Sequence, residues 1–229
     1  MSDFVIPPAA IPSLPVAGDH RRFPVRRIYC VGRNYADHAR EMGHDPDREP
    51  PFFFGKPADA LLTDGADLPW PPQTQDLHFE AELVVALGGG GADIAPADAQ
   101  GLIWGYGTGN DFTRRDLQAA AKKAGRPWDL AKGFDMSAAC GPLHPVEQTG
   151  ALNSGRIALT VDGELRQESD LSQMIWPVAD VIAHLSQSVR LTAGDLIFTG
   201  TPAGVGAVTR GQVVTVDIAG LTPLVTRVV

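Results

Sequence analysis

The chain has 229 residues, of which 44% are hydrophobic and 20% are charged, and its formal net charge is −8. This length and composition are typical of a globular protein with one substantial core. The net negative charge, with no basic run to neutralise phosphates, excludes a nucleic-acid partner. Cys30 and Cys140 are too few for a disulfide framework, and we interpret each as a buried free thiol in a cytoplasmic protein.

The first 24 residues are apolar and rich in proline, with Pro7, Pro8, Pro12 and Pro15. The prolines and the missing basic start argue against a signal peptide and against a membrane span. We therefore predict that residues 1–24 form an N-terminal arm that lies across the body of the protein or across a partner chain. The remainder, residues 25–229, is predicted to be one domain without membrane contact.

The next segments predict short strands and helices. Residues 27–31 have a strand pattern, and Asn34 in the N-cap position predicts a helix that stops at Gly43. Further along, residues 113–116 resemble a capping box that opens a second helix, which ends at Gly125.

The second half of the chain is dominated by strand patterns. Residues 162–163 are Asp-Gly, which suits a type I′ turn and predicts a hairpin between residues 157–161 and 164–167. A glycine-rich loop at 199–206 superficially resembles a dinucleotide-binding loop, but the segment 213–218 that follows has a strand pattern where such a site needs a helix. Strands outnumber helices and no regular βαβ alternation occurs. The predicted fold is therefore mainly β with short helices (α+β).

The most informative local pattern is the alternation of His78, Glu80 and Glu82 along a predicted strand. Alternate residues share one face of a strand, at roughly 6–7 Å steps. Two carboxylates about 6 Å apart repel by roughly 3 kcal/mol at an effective dielectric near 20, so a partly buried pair calls for a cation. Asp111 would add a third oxygen ligand, and such a set favours Mg²⁺ or Mn²⁺, with Ca²⁺ as an alternative in vitro, over zinc. The other interpretation is an exposed strand face that only carries charge.

Six stretches in order resemble the fumarylacetoacetate hydrolase superfamily, over residues 27 to about 220. They are 31–35 with His38 and Glu41, Lys56-Pro57, 78–83, 109–111 with Arg115, Asp116 and Gln118, Trp128 with 132–135, and 199–206. The resemblance implies a mixed β-roll or β-sandwich catalytic domain of that family's C-terminal type. It also implies a homodimer with one Mg²⁺ or Mn²⁺ per subunit, bound by Glu80, Glu82 and Asp111. His78 is expected to pack beside these ligands without binding the ion.

The resemblance also implies catalytic and substrate-binding roles. His38, oriented by Glu41, would act as the general base for water, and Lys132 would stabilise developing negative charge. The structural alternatives are a surface ion pair for the first two and a solvated charge for the third. The residues implied to contact substrate are Arg33, Lys56, Arg115, Gln118 and Thr201.

The implied reaction is hydrolytic cleavage of a C–C bond in an acylpyruvate, a small 2-oxo acid, through a metal-held pyruvate enolate. Residues 42–57 are most similar to bacterial fumarylpyruvate hydrolases, which implies cleavage of fumarylpyruvate to fumarate and pyruvate in gentisate-type aromatic degradation. The distal carboxylate of that substrate needs a cation, and the sequence does not choose among Arg33, Arg48 and Arg126.

Two alternatives use the same site: decarboxylation of oxaloacetate, and isomerisation or decarboxylation of a 2-hydroxymuconate-type compound. Neither needs an attacking water, so neither needs His38 as a base. A more remote alternative, from another class of protein, is a non-catalytic β module whose acidic cluster holds a structural Ca²⁺.

Overall fold

The computed structural model describes residues 4–41, 50–63 and 65–229, and side chains for 4–38, 50–63 and 65–229. Most of the regular structure in these ranges is β, and the longest helix, Val178–Ser188, has 11 residues. The prediction of a mainly β chain with short helices is confirmed. No helix within the described ranges has both the length and the apolar character needed to cross a membrane.

The strands are β1 (Ser13–Val16), β2 (Asp19–Pro24), β3 (Arg27–Gly32), β4 (Phe52–Lys56), β5 (Leu61–Leu62), β6 (Leu77–Phe79), β7 (Ala81–Leu87), β8 (Ile103–Asp111), β9 (Thr113–Arg114), β10 (Ala138–Cys140), β11 (His144–Pro145), β12 (Arg156–Val161), β13 (Glu164–Asp170), β14 (Asp195–Phe198), β15 (Gly206–Val208), β16 (Val213–Ile218) and β17 (Leu224–Arg227). The α-helices are α1 (Ala36–Glu41), α2 (Pro96–Ala99), α3 (Arg115–Lys123), α4 (Asp129–Lys132), α5 (Val146–Thr149) and α6 (Val178–Ser188). Short 3₁₀ turns span Ala58–Ala60, Gln100–Leu102 and Leu171–Gln173.

An eight-stranded sheet forms the centre of the protein, in the order β4-β3-β14-β7-β8-β10-β5, with β11 also paired to β8. Every residue of β7 is buried. Successive residues point to opposite faces, so Leu83, Val85 and Leu87 join one hydrophobic cluster and Val84 and Ala86 join another. The apolar run at 83–87 therefore reflects a strand covered on both faces.

A four-stranded antiparallel sheet, β13-β12-β16-β17, covers the first face of the central sheet. Ile157 and Leu159 of β12 and Val214 and Val216 of β16 belong to the same cluster as Leu83. Their alternation along each strand places the polar residues outward, so this layer has one solvated face.

The hairpin β1–β2 packs on the second face of the central sheet. Leu14 and Phe23 are buried there together with Cys30 and Cys140. Both cysteines are free and buried, as interpreted from the sequence. The preceding residues 4–11 are exposed. The division of the chain into residues 1–24 and 25–229 stays a prediction.

The predicted hairpin at residues 157–167 is confirmed by the pairing of β12 with β13. Asp162 has φ 51° and Gly163 has φ 84°, so both turn residues adopt the left-handed conformation that a type I′ turn requires. The strand predicted at 213–218 is also confirmed as β16, which excludes a dinucleotide-binding unit at the loop before it.

Two predicted helix caps were wrong, because tertiary contacts compete for the side chains. Asn34 lies two residues before α1, and its amide donates to the Thr199 and Trp176 carbonyls and accepts from the Trp176 N–H. Helix α3 begins at Arg115 without a side-chain cap, and the Thr113 hydroxyl donates to the Asp111 carbonyl instead. The predicted stop of α1 at residue 43 lies outside the described residues.

The strand predicted over residues 77–85 is interrupted at Glu80. The segment before it, β6, belongs to a three-stranded sheet with β15 and β9, whereas β7 belongs to the central sheet. At the break, the Glu80 N–H donates to Asn110 Oδ1 at 2.9 Å, and the Glu80 carbonyl accepts from the Asp111 N–H at 2.9 Å. Glu80 therefore lies at a seam between two sheets, next to the end of β8.

Candidate active site

Glu80, Glu82 and Asp111 converge at this seam. Each offers a carboxylate oxygen, these oxygens lie within 4.8 Å of one another, and all three residues are buried. Antiparallel pairing of β7 with β8 sets Ala81 opposite Asn110, and this register brings the end of β8 beside the two glutamates. The structure thus brings together the three residues predicted as metal ligands.

The electrostatics of this triad fit a hard divalent cation. Burial, and then the nearby Asp111 and Glu80, raise the pKa of Glu82 well above its ordinary value. Buried carboxylates are costly unless opposite charge compensates them, and sets of oxygen ligands suit Mg²⁺ or Mn²⁺. His78 is not in the group: its Nε2 lies 2.9 Å from Asp76 Oδ1, and its Nδ1 accepts from Arg115 at 3.4 Å. That position agrees with the packing role expected for His78.

Lys132, the last residue of α4, supplies a positive charge to the triad. Its Nζ donates to Glu80 Oε2 at 2.6 Å and to Asp111 Oδ2 at 2.8 Å. Burial would lower the pKa of Lys132, but Asp111 and Glu80 outweigh it and raise that pKa. Burial would likewise raise the pKa of Glu80, but Lys132 and Arg115 hold it well below its ordinary value. These two groups therefore remain charged at neutral pH.

Lys56 forms a buried ion pair with Asp111. Its side chain is 0% exposed, and its Nζ is 2.7 Å from Asp111 Oδ1. The same ammonium donates to the backbone carbonyls of Phe112 at 3.2 Å, of Ser137 at 3.1 Å and of Lys132. The sequence predicted a substrate contact for this residue, but the structure places its charge inside the protein.

Helix α3 brings Arg115 and Gln118 to the other side of Glu80. Arg115 Nη2 donates to Glu80 Oε1 at 2.5 Å, and Nη1 donates to Gln118 Oε1 at 2.6 Å. The spacing of three residues places both side chains on one face of the helix. The two residues predicted to bind substrate therefore form one hydrogen-bonded unit with a candidate metal ligand.

The loop after β14 approaches Glu82 with its backbone. Gly200 has φ +98° and donates its N–H to Glu82 Oε2 at 2.8 Å. A Cβ at this position would lie 2.7 Å from the Asn34 Cβ, so both the conformation and the close packing require glycine. Next to it, Thr201 is buried and lines the cavity.

Gln167 supports this loop and was missed from the sequence. Its Nε2 donates to Thr201 Oγ1 at 2.9 Å and to the Pro202 carbonyl at 2.8 Å, while its Oε1 accepts from the Ala81 N–H at 3.0 Å. The sequence signal that could have revealed Gln167 is a polar residue at an inward-facing position of the predicted hairpin strand. Gln167 ties β13, β7 and the Thr201 loop together.

A cavity of about 480 Å³, counting its opening to solvent, connects these residues. Of the predicted site residues, those that line it are Arg33, His38, Glu80, Glu82, Arg115, Gln118, Lys132 and Thr201. Asp111 and Lys56 are not among the lining residues. Phe52, Lys122 and Trp128 also line the cavity and were not assigned a role from the sequence.

His38 and Arg33 approach the cavity from α1 and from the turn before it. His38 is buried. Arg33 has φ 59°, an uncommon conformation for a bulky residue, and its guanidinium carbon lies 5.1 Å from the centre of the Phe52 ring. The Glu41 side chain and all of Arg48 lie outside the described residues, so the predicted orientation of His38 by Glu41 stays a prediction. Arg126 is exposed and borders a neighbouring cleft.

Known proteins are similar to this chain in fold and in overall sequence. A sequence profile described as "Fumarylacetoacetate (FAA) hydrolase C-terminal" matches residues 27–229. The crystal structure of fumarylpyruvate hydrolase from Pseudomonas aeruginosa in complex with Mn²⁺ and pyruvate has a TM-score of 0.97 and 52% identity, covering 99% of each chain.

Two further relatives are named for different activities. The fumarylpyruvate hydrolase of a Ralstonia species is 41% identical over 182 residues, which is 79% of this chain and 94% of that protein. The mitochondrial oxaloacetate tautomerase FAHD1 of Rattus norvegicus is 41% identical over 196 residues, which is 86% of this chain and 88% of that protein. The matches agree on the family and differ on the substrate.

Proposed function

Because the chain belongs to the fumarylacetoacetate hydrolase family, we propose that it is a metal-dependent enzyme that hydrolyses the C–C bond of an acylpyruvate, with fumarylpyruvate as its substrate. The observation that carries the proposal is the buried triad of Glu80, Glu82 and Asp111 beside Lys132, at a cavity that His38 also lines. The similarity to fumarylpyruvate hydrolases supports this choice of acylpyruvate.

The triad would hold Mg²⁺ or Mn²⁺ through Glu80, Glu82 and Asp111, and the donor set fits either ion. When bound, such an ion supplies Lewis-acid polarisation of the oxygens of a 2-oxo acid. The Mn²⁺ and pyruvate in the Pseudomonas aeruginosa relative support this assignment. The charge on Lys132, next to Glu80 and Asp111, favours binding of the anionic head of the substrate at the same place.

His38 would act first, as the base that takes a proton from water while the water oxygen attacks the acyl carbonyl carbon. The imidazole suits this step because one ring nitrogen can accept a proton from water and later return it. The carbonyl oxygen gains negative charge and needs a donor. An ammonium has three N–H donors, and Glu80 and Asp111 accept two of those of Lys132, which leaves one for the oxyanion.

Collapse of the tetrahedral adduct would then break the C–C bond. The bonding electrons leave with the pyruvate fragment as its enolate, and the acyl fragment departs as a carboxylic acid that ionises to fumarate. His38 returns the proton taken from water to the methylene carbon of the enolate, which yields pyruvate. The balance is one fumarylpyruvate and one water giving one fumarate and one pyruvate.

The test is His38→Ala, assayed by the loss of the enol absorbance of fumarylpyruvate. Loss of a positioned general base should lower kcat by about 10²–10⁴-fold. Mn²⁺ binding, followed by calorimetry on the same variant, is expected to persist, because His38 is not in the ligand triad. Undiminished hydrolysis in a variant that still binds Mn²⁺ would refute the assignment of the base.

A second candidate function is turnover of oxaloacetate, which the similarity to oxaloacetate tautomerase favours. Tautomerisation or decarboxylation of this 2-oxo acid would use the same cavity without an attacking water. Wild-type protein should be given fumarylpyruvate and oxaloacetate in parallel, with pyruvate, CO₂ and the enol form followed separately. Turnover of oxaloacetate alone would replace the hydrolase proposal with this one.

We further propose that the enzyme is a cytoplasmic homodimer that acts in aromatic degradation. These expectations come from the resemblance and from the names of the relatives. Sedimentation equilibrium of the purified chain tests the dimer, and a mass of about 24.3 kDa would identify a monomer instead.

A further inference from the structure

Helix α3 presents a row of polar side chains to the cavity. Arg115, Gln118 and Lys122 are spaced by three and four residues, so they lie on one face of the helix, and all three line the cavity. Arg115 contacts Glu80, Gln118 is buried beside it, and Lys122 is exposed. The row therefore runs from the acidic triad outward to the mouth of the cavity.

Arg33 reaches the same cavity from the turn between β3 and α1. Its backbone is held in a left-handed conformation, and its guanidinium lies against the Phe52 ring. Uncommon backbone conformations of bulky residues occur preferentially where a function requires the position. Arg33 and Lys122 thus bring two positive charges to the cavity from different elements.

Aromatic rings line the cavity as well. Phe52 and Trp128 meet edge to face with ring centroids 5.5 Å apart, and Phe54 packs against Trp128 with centroids 6.1 Å apart. All three rings line the cavity. They give it an apolar, aromatic wall suited to a conjugated chain.

An acylpyruvate with a distal carboxylate has the matching order of groups: a 2-oxo acid head, a planar middle and an anionic tail. For the seven-carbon fumarylpyruvate, the two carboxyl carbons are about 7–8 Å apart when the chain is extended, at roughly 1.3 Å per bond. The axial rise from Arg115 to Lys122 is about 10 Å, at 1.5 Å per residue. A tail whose head binds at the triad would therefore end within reach of the Lys122 side chain.

We propose that Lys122, together with Arg33, binds the distal carboxylate and selects acylpyruvates that carry one. This inference rests on the proposed function and specifies which acylpyruvates the site accepts. With a net charge of −8, the protein attracts an anionic tail through local cations rather than through its overall field. Lys123 and Arg126 are not among the residues that line this cavity.

The test compares fumarylpyruvate with its distal monomethyl ester, which has the same length but a neutral tail. The readout is the ratio of kcat/KM for the acid to that for the ester. Lys122→Met should lower this ratio about tenfold or more, through KM for the acid, because a hydrogen bond between two charged groups is lost. Lys122→Arg should restore most of the ratio, since it keeps the charge.

The matched control is Lys123→Met, which removes the same charge from the adjacent position of α3 and should keep the wild-type ratio. Arg33→Asn provides a second variant, because asparagine tolerates a left-handed backbone while removing the cation; it should lower the ratio in the same direction. Thermal unfolding of each variant verifies that the fold is intact.

An unchanged ratio in folded Lys122→Met, while wild type hydrolyses both compounds, would overturn this inference and leave the proposed function standing. Failure of the wild type to hydrolyse either compound would instead overturn the proposed function, and the inference with it. A drop in ratio for Lys123→Met equal to that for Lys122→Met would also overturn the inference, because it would show a general charge effect.

Discussion

Lys56 Nζ lies 2.7 Å from Asp111 Oδ1, with both side chains 0% exposed. The same ammonium binds the backbone carbonyl of Lys132, so one buried charge fixes both a candidate metal ligand and the segment that carries a candidate catalytic residue. Buried ion pairs contribute little net stability, because desolvation offsets their attraction, but removing one partner leaves an uncompensated charge. Lys56 therefore contributes mainly by holding Asp111 and the Lys132 backbone in place.

Lys56→Met is expected to lower the free energy of unfolding by about 3–5 kcal/mol, because the buried Asp111 keeps only the Lys132 ammonium and three buried backbone carbonyls lose their donor. Urea titration of the metal-free protein measures the change. Lys123→Met removes a surface lysine and should change stability by no more than about 0.5 kcal/mol. A loss below about 1 kcal/mol for Lys56→Met would show that the pair does not hold Asp111 in place.

Metal binding should strengthen as pH rises, because of Glu82. Burial and the neighbouring Asp111 and Glu80 raise its pKa in the folded, metal-free protein, so an arriving cation must displace a proton. The raised pKa also means that the metal-free fold loses stability as pH increases from the unfolded value of about 4.3 through the folded value.

The increase in Tm caused by Mn²⁺ should therefore be larger at pH 8 than at pH 6, as followed by differential scanning fluorimetry. Glu82→Gln should abolish the increase, since it removes both the ligand charge and the titration. An increase of equal size at the two pH values would contradict the proton displacement. Calorimetry in two buffers with different ionisation enthalpies counts the released proton directly.

Asp116 should stabilise the protein in a pH-dependent manner. Burial would raise its pKa, but hydrogen bonds from the Gln75 N–H, the Thr74 hydroxyl and the Leu117 N–H outweigh this and lower it. A depressed pKa gives stability that is present above the unfolded value of about 3.9 and is lost as pH falls through the folded value.

Asp116→Asn is therefore expected to cost about 1–2 kcal/mol at pH 7, with the difference from wild type shrinking as pH falls below the unfolded value of about 3.9. Denaturant unfolding at pH 7 and at pH 3 gives both values. An equal loss at the two pH values would mean that packing, and not the charge, accounts for the contribution of Asp116.

Gln167 should affect both stability and substrate binding. Gln167→Leu leaves the buried Ala81 N–H without its acceptor and is expected to cost about 1–3 kcal/mol. It also frees Thr201, so KM should rise more than kcat falls. Gln167→Glu keeps the acceptor for Ala81 but buries a carboxylate beside the Pro202 carbonyl, so it should cost more stability than Gln167→Leu, with a similar rise in KM. An equal loss of stability in the two variants would contradict this expectation.

The sequence predicted the members of the triad better than the backbone that carries them. The spacing of Glu80 and Glu82 indicated a shared face, and their oxygens do lie close together. The break in the strand at Glu80 depends on Asn110 and Asp111, which are about thirty residues away in the chain. Local periodicity carries no information on such a partner, so a continuous strand was predicted.

The structural features that the sequence did not reveal share one physical cause. Lys56 is flanked by Gly55 and Pro57, and nothing in this setting reveals that carbonyls from residues 112, 132 and 137 will surround its ammonium. The spacing at Thr113 fits a capping box, but the Thr113 hydroxyl donates its hydrogen bond to the Asp111 carbonyl instead. In each case a contact made by the folded chain outweighs a local preference.

The inner and outer ends of the cavity differ in how well they tolerate substitution. The Glu80 side chain is the shared partner of the Lys132 and Arg115 cations at the seam, so a substitution there leaves both charges without this carboxylate. Lys122 is a side chain on the exposed outer turn of α3, where most residues are tolerated. Changes of acyl-chain preference can therefore accumulate at the mouth of the cavity by single substitutions while the chemistry at the seam is inherited intact. For protein engineering, a library at position 122 samples new substrates with little risk to the fold, whereas position 33 is restricted to residues that tolerate a left-handed backbone.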